Sequence, residues 1–155
     1  MTSRIDCCNS LLFGLPSFQI SKIQRVQNAA ASVIFLKSKY CLITPLLKEL
    51  HWLPVTYRIQ YKVILITFKA LHDMAPSYIS NLVHVRQNTK HSHRSNNAIL
   101  LTPPLKKSVA TTGDKSFTVA APILWNSLPS EIRNVHKLDK FKQRLKAYFY
   151  CLAFK

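Results

Sequence analysis

Glycine is almost missing from this chain: Gly14 and Gly113 are the only two in 155 residues, where roughly 7% is usual. Tight hairpins need glycine at positive φ and helix interiors reject it, so the shortage points away from hairpins and towards helices. It also excludes a glycine-rich loop cradling phosphate and a glycine-flanked nucleophile. Acids are scarce as well. The six are Asp6, Glu49, Asp73, Asp114, Glu131 and Asp139, and no two are close in sequence. A two-metal polymerase or nuclease gathers carboxylates around Mg²⁺ ions about 4 Å apart. The expectation is therefore no catalytic residue, no metal site and no cofactor. Long apolar runs are absent too. The most apolar stretch, Val63 to Phe68, falls far short of the ~18 residues of a membrane span, so neither a membrane nor a small-molecule substrate is expected as partner. Cys7, Cys8, Cys41 and Cys151 form no CxxC pair and read as reduced thiols. With no cleavage-site pattern near Met1, the chain reads as intracellular, in cytoplasm or nucleus, and not secreted.

What is present is positive charge. Twenty-two Lys and Arg stand against six acids, giving +16. Such a surface attracts polyanions, and each cation docked on a phosphate releases a counterion. RNA or DNA is the partner this favours; a solvated basic face and an anionic membrane surface are the competing readings. Nothing resembles a recognition helix with base-reading residues, so contact with the phosphate backbone is expected, with little sequence preference. The residues expected to make it are Lys22, Arg25, Arg58, Lys62, Arg86, Lys90, Arg94, Lys106, Lys107, Lys140 and Arg144. Trp52 and Trp125 invite a stacking role against unpaired bases. Both follow helix-face apolar residues, so packing is the favoured reading, with Tyr40, Tyr57 and Tyr78 as weak surface candidates. His84, His91 and His93 have no Cys or acid close by, so a polar loop is favoured over a metal site.

The pattern along the chain predicts a mainly α fold: an irregular helical bundle around a central helix at about 55–73. Arg4 to Phe13 reads as the end of a helix whose earlier turns are missing, so 1–155 is expected to be one helical domain truncated at its N-terminus. Pro16 suits the first turn of the next helix. There Ile20, Ile23, Gln27, Ala30 and Ile34 share a face that Val26 and Val33 widen, with Lys22 and Arg25 off it. Thr44-Pro45 reads as a hydroxyl N-cap and helix start. In the central helix Tyr57, Tyr61, Ile64, Leu65, Phe68 and Leu71 form one apolar face, and Ile59, Val63, Ile66 and Ala70 a second. Pro76 opens a short helix to about Val83. The segment 84–112 carries no acid and reads as a basic irregular connection, in which Ile99 to Leu101 is a short strand or an extended piece on the core. Asp114 is the expected N-cap of a helix that Pro122 kinks or divides. Pro129 begins a turn of helix. A last helix from about Lys137 presents Leu138, Phe141, Leu145, Tyr148, Phe149 and Leu152 on one face, with Lys140, Lys142, Arg144 and Lys146 on the other.

The order of several short runs resembles a known family. Ser3 to Pro16 (SRIDCCNSLLFGLP), Ile23 to Ala31 (IQRVQNAAA) and Ile43-Thr44-Pro45 come first. They precede Leu46 to Val55, which contains His51-Trp52-Leu53-Pro54. Phe68 to Leu71, Ala75 to Tyr78, Gly113-Asp114, and Val119 to Pro129, which contains Leu124-Trp125-Asn126-Ser127-Leu128-Pro129, follow in turn. Phe141-Lys142 and Leu145-Lys146 close the series. Together they look like the region after the palm of LINE-type, jockey-like non-LTR retrotransposon reverse transcriptases, and the likeness covers nearly the whole chain. In that family the endonuclease, fingers and palm come earlier, and the palm holds the metal-binding aspartates. The resemblance therefore implies the thumb and C-terminal extension, which would grip template, hybrid or target DNA beside the missing domains of a parent protein. Similar sequences tend to have Arg where this one has His91 and Pro104, and an aromatic where it has Thr112, as in a decayed copy. The expectation is a non-catalytic remnant of an RNA-directed DNA polymerase with generic nucleic-acid binding. The alternatives are a basic cellular protein-interaction module and a translated pseudogene product without function.

Overall fold

In the computed structural model, residues 12–38, 40–86, 99–104 and 117–155 are described. They form seven helices: α1 (Ser17–Ile34), α2 (Ile43–Glu49), α3 (Val55–Leu71), α4 (Ser77–Ser80), α5 (Phe117–Asn126), α6 (Ser130–Arg133) and α7 (Leu138–Ala153). The fold is mainly α. Most of the expected helix end at Arg4 to Phe13, the N-cap at Asp114 and most of the basic connection 84–112 lie outside the described residues.

Proline sets the helix starts. Pro16, Pro54, Pro76 and Pro129 are the N-caps of α1, α3, α4 and α6, with φ between −57° and −52° and ψ between 142° and 150°. The ring fixes φ at a value this extended position accepts, and a residue there needs no N–H for the helix. Its carbonyl does take part: the Ile20 N–H donates to the Pro16 carbonyl at 3.3 Å and the Arg58 N–H to that of Pro54 at 3.0 Å. The prolines thus stand one position before the helix rather than in its first turn. At α2 the helix begins earlier than Thr44. Leu42 is the N-cap, no side chain caps the end, and Pro45 sits third, where a missing N–H still costs nothing. Within α5, Pro122 is accommodated and does not divide the helix.

Helix ends are handled without glycine. Leu36, His51 and Asp73 have φ of 51°, 52° and 55° just beyond α1, α2 and α3. There the Lys37, Trp52 and Met74 N–H groups donate back to the carbonyls of Ser32, Leu47 and Lys69 at 3.0, 2.9 and 2.8 Å. These are Schellman closures, which usually place glycine at the left-handed residue.

Helix α3 is central. It packs against α1, α4, α5 and α7. Val55, Ile59, Val63, Thr67 and Ala70 are buried along one line, and Ile64 and Phe68 along another. The second line meets α7, where Phe141, Leu145 and Phe149 are buried. Phe68 and Phe141 stack with ring centroids 4.0 Å apart, and Trp125 of α5 lies 6.0 Å from Phe141. This single cluster joins residues on both sides of the basic connection.

On α1 the buried face is narrower than the expected one: Gln27 lies inside as its spacing predicts, with Ile20, Ile23 and Ala30 half-buried, but Val26 and Val33 do not widen it. Gln27 and Ala31 are buried, whereas Val26, Val33 and Ile34 are exposed. The reason is polar. The Gln27 amide donates to the Leu53 carbonyl at 2.9 Å, and the Gln24 side-chain oxygen accepts from the Val55 N–H at 2.8 Å. Gln24 also donates to Gln27 Oε1 and Asn28 Oδ1. Two glutamines therefore clamp the backbone around Pro54, and the helix turns its Gln24–Gln27–Ala31 side inward.

The Trp-Asn pair of α5 forms a second clamp. Trp125 Nε1 donates to the Ile99 carbonyl at 2.9 Å. Asn126 accepts from the Leu101 N–H at 2.9 Å and donates to the Leu101 carbonyl at 2.8 Å. Arg133 adds bonds to the Leu128 and Ile99 carbonyls. Held this way, Leu101 forms an isolated antiparallel bridge with Val85 and is buried on the core. Ile99 to Leu101 is thus an extended piece rather than a strand of a sheet.

Candidate nucleic-acid interface

The first turns of α3 and the later turns of α7 run beside each other, and the loop between α2 and α3 closes one end. Between them lies an open groove of about 350 Å³ lined by His51, Trp52, Arg58, Tyr61, Lys62 and Lys146. Arg58 and Lys62 stand one turn apart on α3, and Lys146 comes from α7. Among its described lining residues there is no carboxylate. The loop carrying His51 and Trp52 is fixed by the glutamine clamp and by Tyr150, whose hydroxyl donates to the Lys48 carbonyl at 3.1 Å while its ring lies 6.0 Å from that of His51. Trp52 packs on the Ala31–Leu46–Leu47 cluster, and Tyr61 packs on the larger core. Burial pushes the Tyr61 hydroxyl above its ordinary value of 10.0, keeping it neutral.

Of the expected contact residues, Arg58 and Lys62 are the two this groove brings together. Lys22 and Arg25 are exposed on the outer side of α1, where Arg25 lines a separate cleft of about 540 Å³ with Lys37. Arg86 is exposed, with its backbone N–H bonded to the Leu100 carbonyl at 2.8 Å. Lys140 and Arg144 are exposed on α7, and Arg144 donates to the Glu131 carbonyl at 3.2 Å. Lys90, Arg94, Lys106 and Lys107 lie outside the described residues, as do His91 and His93.

The basic residues of α7 do not share one face. At about 100° per residue, Lys142 and Lys146 fall on one flank of the Phe141–Leu145–Phe149 line, and Lys140 and Arg144 fall on the other. Lys146 was missed as a contact residue for this reason. The four-residue step from Lys142 to Lys146 separates the flanks, but only the packing tells which of them faces α3.

The aromatic expectations divide. Trp125 is buried at 1% exposure and fully engaged in packing and in its bond to Ile99. Trp52 is half-buried and lines the groove. Tyr57 is not a surface residue of the kind expected: it packs 5.9 Å from Phe149 and donates to the Leu152 carbonyl at 3.4 Å. Tyr40 and Tyr78 are exposed.

A smaller cleft of about 280 Å³ lies at the other end of α3, between His72, Trp125, Arg133 and His136. Burial lowers the His72 pKa from its ordinary 6.5, and His136 lowers it further; Asp73 and a bond to the Val135 backbone act the other way. Burial also lowers Arg133. Among the described residues no three His, Cys, Asp or Glu side chains come together as metal ligands, and no helix is long and apolar enough to cross a membrane. No protein-family model, curated protein or solved structure matches the chain.

Proposed function

We propose that the chain is a non-catalytic remnant of a retrotransposon reverse transcriptase, corresponding to its thumb and C-terminal extension, and that it holds nucleic acid by the phosphate backbone. The observation that carries the binding is the groove in which Arg58, Lys62 and Lys146 line two sides. Three cations converging on one concavity attract a polyanion. What supports the origin is the order of the motifs along the sequence. Within the fold, several of those motifs close on one another. The Ile23–Ala31 run clamps the Leu46–Val55 run, and Phe68 of one motif stacks on Phe141 of another.

The test is fluorescence anisotropy of labelled RNA and DNA over a range of salt. Binding is expected to weaken with salt, at about 0.7 log units per log unit for each single-strand contact and about 0.9 for each duplex contact. The triple variant Arg58→Gln, Lys62→Gln, Lys146→Gln should flatten the single-strand slope by about 2. A slope near zero for the unaltered chain defeats the proposal. A protein-interaction role is the second reading. It is favoured by the apolar surface on α1 and after it, where Val33 is 72% and Leu36 92% exposed.

A further inference from the structure

We infer that the groove between α3 and α7 is a single-strand site, in which an unpaired base stacks on Trp52 or Tyr61 while Arg58, Lys62 and Lys146 hold the flanking phosphates. This rests on the nucleic-acid reading above and narrows its ligand to unpaired strands. Two aromatic rings and three cations line the same 350 Å³ concavity. Cations alone would serve any polyanion, but aromatic side chains inside a basic groove add a surface that only an exposed base face can use. A duplex keeps its base faces stacked on one another, and extruding one costs a few kcal/mol. A single strand bears no such cost.

The aromatic residues are also held in place. Trp52 is anchored against Ala31, Leu46 and Leu47, and the neighbouring Leu53 carbonyl and Val55 N–H are both tied to α1 by glutamine. Tyr61 is anchored in the core beside α7. A fixed stacking surface loses little side-chain freedom when a base arrives. The other tryptophan, at 1% exposure and hydrogen-bonded to Ile99, is out of reach of a strand, so quenching of tryptophan emission reports on Trp52.

The experiment titrates the full chain with three probes: a short oligothymidylate, an abasic strand of the same length and charge, and a blunt duplex. Stacking contributes about 1–3 kcal/mol per base, which is about 5- to 150-fold in affinity. The oligothymidylate is expected to bind at least about 5-fold more tightly than the abasic strand and to quench tryptophan emission, which the abasic strand leaves unchanged. Trp52→Leu and Tyr61→Leu, which keep apolar bulk, should reduce that preference and leave abasic binding intact. Should either variant melt early, the comparison of probes on the unaltered chain decides. Equal affinity for the two strands with no quenching overturns the stacking site and leaves backbone binding standing. Absence of salt-dependent binding to any probe removes both.

Discussion

Gln27 offers the sharpest test of how this fold is held. Its side chain is 2% exposed, and its amide donates to the Leu53 carbonyl at 2.9 Å. Gln27→Leu keeps the size of the side chain and removes the donor. The Leu53 carbonyl is then left without that partner in a buried setting, a cost of about 1–3 kcal/mol. Gln24 loses little, because its amide keeps Asn28 at 2.8 Å. For a chain of this size each kcal/mol moves Tm by about 2–4 °C, so a drop of about 2–12 °C is expected in a thermal melt followed by circular dichroism. Gln27→Glu separates the hydrogen bond from mere packing. A protonated Glu can still donate to Leu53, whereas an ionised one sets a buried charge against a carbonyl oxygen. Its folded pKa is therefore raised above the ordinary value of about 4.3. The stability this carboxyl contributes is full below the unfolded pKa and is lost as pH rises through the folded one. The Glu variant should thus melt near the parent at about pH 4 and well below it at about pH 7. If Gln27→Leu melts with the parent, or Gln27→Glu shows no extra pH dependence, the clamp does not hold α1 to the Pro54 turn.

Other predictions concern the helix ends and the histidine pair. Leu36→Gly should raise Tm by about 1–4 °C. A leucine at φ 51° carries a left-handed strain of roughly 1–2 kcal/mol, its side chain is 92% exposed, and glycine returns only part of the gain as unfolded-chain entropy. A lower Tm would show that Leu36 packs on something that matters. At His72, burial and then His136 hold the folded pKa below 6.5. The unfolded chain therefore binds more protons just below that pH, and stability is lost as pH falls through 6.5 towards the folded value. His72→Gln should shrink the difference in Tm between about pH 7.5 and 5.5; an unchanged difference places the pH sensitivity elsewhere.

Much of the helical layout was legible in the sequence because its signals are local. The apolar spacing of α3 and α7 and the prolines at 16, 54, 76 and 129 act on residues within a turn or two of themselves. They set two buried lines on α3, the Phe141–Leu145–Phe149 line on α7, and the places where helices begin. The central role of α3 followed from its two apolar faces, since a helix apolar on both sides has to be covered on both.

The face of α1 was legible only in part: its spacing put Gln27 on the inner face, but did not show that Val26, Val33 and Ile34 stay exposed. Val26 and Val33 are more apolar than Gln27, yet Gln27 is inside, because the Leu53 carbonyl needs a donor that valine cannot supply. That need arises only once α1 lies against the Pro54 turn. The two tryptophans follow the same logic. Their local patterns are alike, but Trp125 meets the Ile99 carbonyl and the core, while Trp52 closes the end of a groove.

The sequence by itself determined a basic, glycine-poor, mainly helical chain, since charge and propensity are summed residue by residue. Which cations act together was decided only by tertiary structure. Lys146 joins Arg58 and Lys62 because Phe141, Leu145 and Phe149 dock α7 on α3 and turn one of its two basic flanks towards them. The opposite flank, with Lys140 and Arg144, has the same charge but is turned away from the groove.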